Sequence, residues 1–506
     1  MKDTGFTDKV YKYCTDRKLL VGVMCIVAGL SGGPDSVALV SALCRLKDEY
    51  EDFPKIYAVH VNHGLRESAG YDEELSRKLC EELNIPFKAY HFDVRKKAEE
   101  LGRGLEETGR ILRYEAFRET ASSAAEELSV DEDAVKIATA HHLGDLSETF
   151  MMNLFRGSGL EGLTGMNSSG SIIRPLLNVT KDEILEFLED NHIDYATDET
   201  NFLTDFTRNK WRNEIFPVIR EVSVKDPYDA ICDTYRLLSQ DESYIEGEAL
   251  IRYAECVVRT GGVSFIKIRE LKKLHPALST RVIRLCWKET FGSLTDFETK
   301  HVDIINALTE ISGGTHYADM PFGRKAMCVE GLLGFYGEEG PERTACAMAV
   351  YLGFPAAAGK IDVRIRRDEL KNGEKTIELP EFGLSIQASV VENNVSMVYN
   401  TFSWICPEDD IVIGTDPGEG TFRKAGSPHR TDLTKLMSDM KVPRDARRHL
   451  IAVRSGGRVL WIPGIGHSEG FISSKSREAW LKDGGRTGGT LIRLDILTEV
   501  NKGGNF

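Results

Sequence analysis

The sequence predicts an α/β fold in three parts: a doubly wound parallel-sheet domain, a helical domain, and a small α+β C-terminal domain. Three observations predict it. Short apolar runs alternate with polar segments of helical length through about residue 220, the pattern of strand–helix–strand units. From about residue 221 the alternation gives way to amphipathic helical spacing. Past a Gly-, Pro- and Ala-rich stretch at 337–360, short alternating runs return. A chain of 506 residues exceeds one core, and these shifts place its domains at 1–220, 221–340 and 361–500.

The first apolar run, Leu19 to Leu30, follows Lys9, Lys12, Arg17 and Lys18 and superficially fits a secretory leader. It is too short to span a bilayer, and Gly-Gly-Pro-Asp-Ser follows it in place of a small-x-small cleavage site. A buried strand is the better expectation, in a cytosolic protein without membrane segments. "SVAL" then opens a helix, with Val37, Leu39, Val40, Leu43 and Leu46 crowding one side. "KIYAVHVNHG", "PFKAYHFDV", "DAVKIATAHH" and "SIIRPLL" read as strands two to five, with helix-length segments such as "ESAGYDEELSRKLCEELNI" between them. In the second part, Ile231, Tyr235, Leu238 and Ile245 recur at helical spacing. In the third, "IDVRIRR", "EKTIEL", "LSIQASVV" and "RVLWIPG" alternate like strands around a helical stretch near 431–450.

Composition narrows the function classes. Hydrophobic content of 41% and charged content of 28% fit a soluble globular chain. A net charge of -15 argues against a nucleic-acid coat protein. Charge is nevertheless segregated: residues 421–460 hold ten basic and three acidic residues, a local +7. That suits contact with a phosphate backbone, although a solvated basic face has the same composition. None of the 10 cysteines forms a C-x-x-C pair, so zinc-ribbon and thioredoxin-like readings lack support and buried thiols are expected.

Polar residues cluster at the predicted carboxyl ends of strands, where doubly wound sheets bind ligands. They are Ser31 to Ser36, His60 to His63, and His141 to Glu148. In Ser31-Gly32-Gly33-Pro34-Asp35-Ser36, glycines let backbone amides approach an anion, and the helix start adds positive potential. An ordinary strand-to-helix turn also fits, and no Walker Lys-Ser/Thr follows. Asp35 suits a phosphate-bound cation or a carboxylate favoured by the helix dipole. Asp145 and Glu148 lie three apart on one helix face, fit for a cation or for solvent. Adjacent His141 and His142 do not make a zinc site. Arg110 and Arg113 share a face and suit an anionic transition state, or pairing with Glu106. Arg208, Asn209 and Arg212 suit phosphate contact, while Trp211 reads as core.

"SGGPDS", "HVNHGLR", "GRILRYEAF", "ATAHHLGDLSETFMMNLFRGSGLEGLTGM", "IIRPLL" and "DETNFLTDFTRNKWRNEIFPVI" occur in order across residues 21–220. Together they resemble the ATP-pyrophosphatase, or PP-loop, enzymes and within them the tRNA(Ile)-lysidine synthetase family. "KLMSDMKVPRDARRHL" and "VLWIPG" resemble that family's C-terminal domain. The resemblance implies an adenine-nucleotide domain that uses ATP and Mg²⁺. It also implies ligation of L-lysine to C2 of the first-anticodon cytidine of isoleucine tRNA with a CAU anticodon, through an adenylated cytidine. On that resemblance, Ser31, Gly32, Gly33, Pro34, Asp35 and Ser36 bind ATP, and Asp35 also holds Mg²⁺. Asp35, Arg110, Arg113, Asp145 and Glu148 act in catalysis, the last two on the lysine ammonium. Arg208, Asn209, Arg212, Arg444, Arg447 and Arg448 contact tRNA, and a homodimer is left open.

One departure stands out. The family usually carries Asp-Asp-Gln where Gly144-Asp145-Leu146 stands here, and Gly466-His467 occupies a position where a basic residue is common. Two competing readings follow: another adenylating tRNA-modifying enzyme such as a thiolase, or a nucleotide-dependent RNA-binding protein with impaired catalysis.

Overall fold

The computed structural model describes residues 5–64, 69–166, 170–196, 206–366, 369, 375–379, 384–390, 402–405, 409–418, 421–422, 429–467 and 492–498. The chain forms two compact units, residues 1–244 and 245–506.

The first unit follows the predicted alternation. Its elements are α1 (Phe6–Asp16), β1 (Cys25–Gly29), α2 (Pro34–Glu49), β2 (Lys55–Asn62), α3 (Ala69–Glu82), β3 (Phe87–His91), α4 (Val94–Leu101) and α5 (Leu105–Leu128). They continue with β4 (Val135–Ala138), α6 (Leu143–Phe155), α7 (Leu160–Leu163), β5 (Ile172–Ile173) and α8 (Lys181–Asp190). Strand order is β3-β2-β1-β4-β5 with every pairing parallel. The chain therefore moves outward in opposite directions from β1 and β4, and their carboxyl ends flank the topological switch point where such sheets bind ligands.

Burial explains why these segments are strands and helices. Cys25, Ile26, Val27 and Ala28 of β1 are fully buried, the fate of a central strand covered on both faces. The later part of the leader-like apolar run, Cys25–Gly29, is thus the middle of the sheet, while Val21 and Met24 before it are exposed. Helix α2 is buried from Ser36 through Cys44, so its polar Ser36 and Ser41 lie inside. Gly29, at the end of β1, lies where an added Cβ would sit 2.6 Å from the Phe117 ring of α5. Helix α5 packs on the sheet there, and any larger residue would require the Phe117 ring to shift.

After α8 come α9 (Phe206–Lys210), a π-helical turn at Trp211–Ile215, α10 (Phe216–Val222) and the 30-residue α11 (Pro227–Cys256). The predicted helices of the second region are present, including Pro276–Phe291 and Thr299–Thr309. The same region also holds an antiparallel sheet absent from the sequence reading. It is ordered 257–260, 263–267, 332–336, 325–329, 315–319. Two of its hairpins turn on two residues with positive φ, Gly261-Gly262 and Glu330-Gly331. That is the type I′ geometry matched to strand twist. Within the Gly- and Pro-rich stretch read as a boundary, Glu342–Tyr351 is a helix whose Thr344 to Ala349 are buried.

The C-terminal region contains antiparallel sheets, among them 362–365, 411–414, 452–455, 458–462 and 466–467 in that order. The helical stretch resolves into an α-helix at Leu433–Asp439 and a 3₁₀ segment at Arg444–His449. The described cysteines are free, and all but half-buried Cys232 are buried. Among the described residues, no helix is long and apolar enough to cross a membrane.

Candidate active site at the sheet switch point

Residues 31–36 close the gap between β1 and α2, as the glycines predict. Gly32 has φ +88°, a left-handed backbone that a side chain would strain, and its carbonyl accepts from the Ala196 amide at 2.8 Å. Gly33 precedes the helix in extended conformation, and Pro34 fills the first helical position. The Ser36 hydroxyl braces the loop. It accepts from the Ser31 amide at 3.1 Å and donates to the Gly33 carbonyl at 2.9 Å. The Ser31 hydroxyl lies 3.1 Å from it. Ser36 is therefore buried in the loop it holds, while Ser31 is exposed at its rim.

Asp35, in the first turn of α2, meets a cation that sequence reasoning missed. Lys181 Nζ lies 2.5 Å from Asp35 Oδ1, both side chains being partly exposed. Lys181 opens α8 behind a Thr180–Glu183 capping box, so the cap fixes where its side chain starts. The T-x-x-E of "NVTKDE" was the available signal for the helix start; nothing local announced the partner 146 residues away.

Across the switch point, the end of β4 supplies His141 and His142. His142 caps α6: its Nδ1 accepts from the Gly144 amide at 3.0 Å, while Asp145 Oδ2 accepts from the His142 amide at 3.0 Å. The two residues that depart from the family pattern, Gly144 and Leu146, both fit this setting. A Cβ at Gly144 would sit 2.6 Å from His142 Cε1, and Leu146 is 1% exposed in a core with Leu143, Phe150 and Tyr235. His141 is pushed down to about 4, chiefly by burial; Asp145 opposes the shift, and Arg174, Arg110 and Arg113 add to it. It is a neutral imidazole at neutral pH, with Nδ1 2.9 Å from Thr139 Oγ1. Arg110 and Arg113 of α5 thus act electrostatically on His141, where sequence spacing alone gave only a shared face. Arg110 lies over the Tyr114 ring at 5.1 Å. Arg174, buried to 7% exposure and donating to the Met166 carbonyl at 3.2 Å, joins them. An arginine inside the apolar "IIRPLL" was its sequence signal.

The two α6 carboxylates share a face, as their spacing required, but not an environment. Burial alone would raise the Asp145 carboxyl; His142, His141, the His142 amide and Arg212 together hold it below the usual range. Glu148 is 1% exposed, and burial pushes it up to about 7 against the pull of Arg212. Its Oε1 accepts from Arg212 Nε at 2.7 Å. Its Oε2 has no hydrogen-bond partner among the described residues. Arg212 Nη2 is also 3.9 Å from Asp145 Oδ1. Arg212, expected on tRNA phosphate, is thus turned onto the carboxylate pair by the π-helical turn that carries it. Arg208 is exposed and also acts electrostatically on Glu148; Asn209 is half-buried. Trp211, expected in the core, is only half-buried. Among the described residues, no cluster of three or more His, Cys, Asp or Glu side chains is arranged for a metal.

In the second unit, Arg444, Arg447 and Arg448 do not share the α-helical face expected of them. They stand on a 3₁₀ segment, where i and i+3 eclipse and i+4 turns away by a third of a circle. Arg447 Nε donates to the Val442 carbonyl at 3.2 Å and is half-buried, whereas Arg444 and Arg448 are exposed. Of the basic segment, Arg423 and Lys424 lie outside the described residues.

A family profile described as a PP-loop domain matches residues 4–219, and one described as a TilS substrate C-terminal domain matches residues 411–483. A tRNA(Ile)-lysidine synthase of Clostridium acetobutylicum is 30% identical over 470 residues, covering 88% of this chain and 92% of that protein. The chain belongs to the tRNA(Ile)-lysidine synthase family. Another member, from Caldanaerobacter subterraneus subsp. tengcongensis, is 28% identical over 480 residues, 93% of this chain and 96% of that one. Among solved structures, the U34-tRNA thiolase NcsA from Methanococcus maripaludis is 23% identical with a TM-score of 0.37, covering 46% of this chain and 78% of that chain. A TilS C-terminal domain is 16% identical with a TM-score of 0.19, covering 23% of this chain and 85% of that one.

Proposed function

We propose that this chain activates C2 of the first-anticodon cytidine of isoleucine tRNA (CAU) with ATP and then joins it to the ε-amine of L-lysine, releasing pyrophosphate and AMP. Family membership supports the reaction class. The single observation that carries the residue assignment is the arrangement at the switch point. A glycine-bearing strand-to-helix loop and a carboxylate pair facing the Arg212 guanidinium follow the adjacent strands β1 and β4.

The chemistry divides along that line. The cytosine C2 oxygen is a poor leaving group until it is adenylated. The Ser31–Ser36 loop and the start of α2 hold the nucleotide phosphates, and Arg110 and Arg113 offset charge on the transferring phosphate. Mg²⁺ would supply charge neutralisation on the phosphates. One carboxylate beside them is a sufficient protein contribution, and Asp35, with Oδ1 on Lys181, fits that role. Asp145 and Glu148 hold the lysine ammonium where Arg212 now sits. Residues 1–220 perform the chemistry, while residues 221–340 and 361–500 hold the tRNA, Arg444 and Arg448 being exposed for phosphate contact. We place the reaction in the cytoplasm; a homodimer is compatible with it.

A thiolase reading requires reactive thiols. Burial pushes Cys14, Cys25, Cys44, Cys80, Cys286 and Cys328 up to about 12, leaving little thiolate at neutral pH. Gly144 and Leu146, which suggest impaired catalysis, pack beside the His142 cap and in the α6 core, and the assay below decides between the readings. Incubation with ATP, Mg²⁺, labelled lysine and unmodified isoleucine tRNA should transfer label to the tRNA in an ATP-dependent way. Label-free tRNA together with normal binding would instead support the binding-only reading.

A further inference from the structure

We infer that Phe155 and Trp211 form a stacking platform for an unpaired base of the tRNA anticodon loop, next to the reacting cytidine. The inference rests on the tRNA reading above and adds a contact to it.

Phe155 ends α6 with 72% of its surface exposed, more than any other phenylalanine among the described residues. It is not a loose residue. Its ring stacks on Trp211 at 5.5 Å and 30°, Trp211 lies 6.0 Å from Phe216, and buried Phe216 stacks on Tyr228 at 4.7 Å. A ladder of four rings thus runs from the core of the unit to its surface and holds the outermost ring in place. A fixed, exposed aromatic face matches what every nucleobase offers, and such stacking tolerates any base.

Position supports the same occupant. Phe155 is seven residues beyond Glu148, two turns of the same helix, so it lies on the same face about 10 Å along the axis. The partner segment keeps that register: Arg212 pairs with Glu148 while its neighbour Trp211 stacks on Phe155. A nucleotide bound at the carboxylate pair therefore has its chain neighbours within reach of the platform, at roughly 3.4 Å of strand per stacked base. Charge is complementary as well. Arg156 follows Phe155 in sequence, Lys210 precedes Trp211 and Arg208 stands three positions before it; all three are exposed. An exposed ring with cations close by in sequence suits a base with its phosphates better than an apolar protein surface.

The test compares wild type with Phe155→Ala, Phe155→Leu and Phe155→Tyr, measuring binding of a fluorescent anticodon stem-loop by anisotropy across a salt series. Phe155→Ala and Phe155→Leu should each weaken binding by roughly five- to 150-fold, with the slope of log affinity against log salt unchanged, and Phe155→Tyr should bind like wild type. An RNA made abasic at the stacked loop position should bind all four proteins alike. Recovery of binding in Phe155→Leu would mean that apolar packing suffices and would overturn the platform. So would an undiminished Phe155→Ala effect on every single-abasic RNA. Loss of self-association in Phe155→Ala with RNA binding intact would assign the patch to a second copy and overturn it too. Failure of the activity assignment is separable: wild type would then fail to transfer labelled lysine whatever Phe155 does.

Discussion

Glu148→Gln should remove a pH dependence that the wild type carries in its first unit. In the folded chain Glu148 titrates near 7, against 4.5 for the free side chain, because burial opposes its ionisation. Arg212 and Arg208 pull the other way; Asp145 on its own helix adds to the rise, and Tyr228 of α11 also faces it. Between pH 4.5 and about 7 the folded form holds a proton that the unfolded form has released, so rising pH favours unfolding. The stabilisation is complete below 4.5 and lost by the time pH passes the folded value. A shift of this size corresponds to on the order of 3 kcal/mol. For a unit of this size, that is a melting-temperature change of roughly 6 to 12 °C. The melting-temperature difference between Glu148→Gln and wild type should therefore widen by about that amount from pH 4.5 to 8. The catalytic consequence runs the opposite way. Wild-type KM for lysine should rise as pH falls through about 7, because a protonated Glu148 no longer attracts the ammonium. In Glu148→Gln, KM should be high throughout that range. Parallel melting curves at all pH values, or a wild-type KM for lysine indifferent to pH, would refute the reasoning.

Asp35→Ala should cut ATP–pyrophosphate exchange by far more than the tenfold that corresponds to about 1.4 kcal/mol, with the melting temperature little changed since the side chain is partly exposed; near-normal exchange would remove Asp35 from adenylation. Gly144→Ala should destabilise by about 1 kcal/mol, where an exposed helical Gly→Ala ordinarily gains stability, because the new Cβ displaces the His142 ring from its cap; a raised melting temperature would contradict this. Arg444→Glu and Arg448→Glu should each lower the slope of log tRNA affinity against log salt by roughly 0.7 to 0.9. Arg447→Glu should instead lower the melting temperature, since its guanidinium holds the Val442 carbonyl; an equal effect of all three on the salt slope would restore a common RNA-facing surface.

The sequence by itself determined the parallel sheet, its loop and the shared face of Asp145 and Glu148. Each of those rests on local rules: strand periodicity, glycine beside a helix start, three-residue spacing on a helix. It contained a signal for the antiparallel sheet at 257–336 as well, in Gly261-Gly262, but strands of four or five residues between long helices carry little periodicity of their own. What the sequence could not decide is which charges meet. Lys181 reaches Asp35 from 146 residues away, and Arg212 reaches Glu148 from 64. Those pairs depend on how α8 and the π-helical turn pack against α2 and α6. Packing also made two carboxylates three residues apart chemically unlike. One is held ionised by His142, His141 and a backbone amide; the other is buried beside one guanidinium with an oxygen to spare. Charge can be read from residue type, but desolvation belongs to the folded surroundings, and only the tertiary structure sets them.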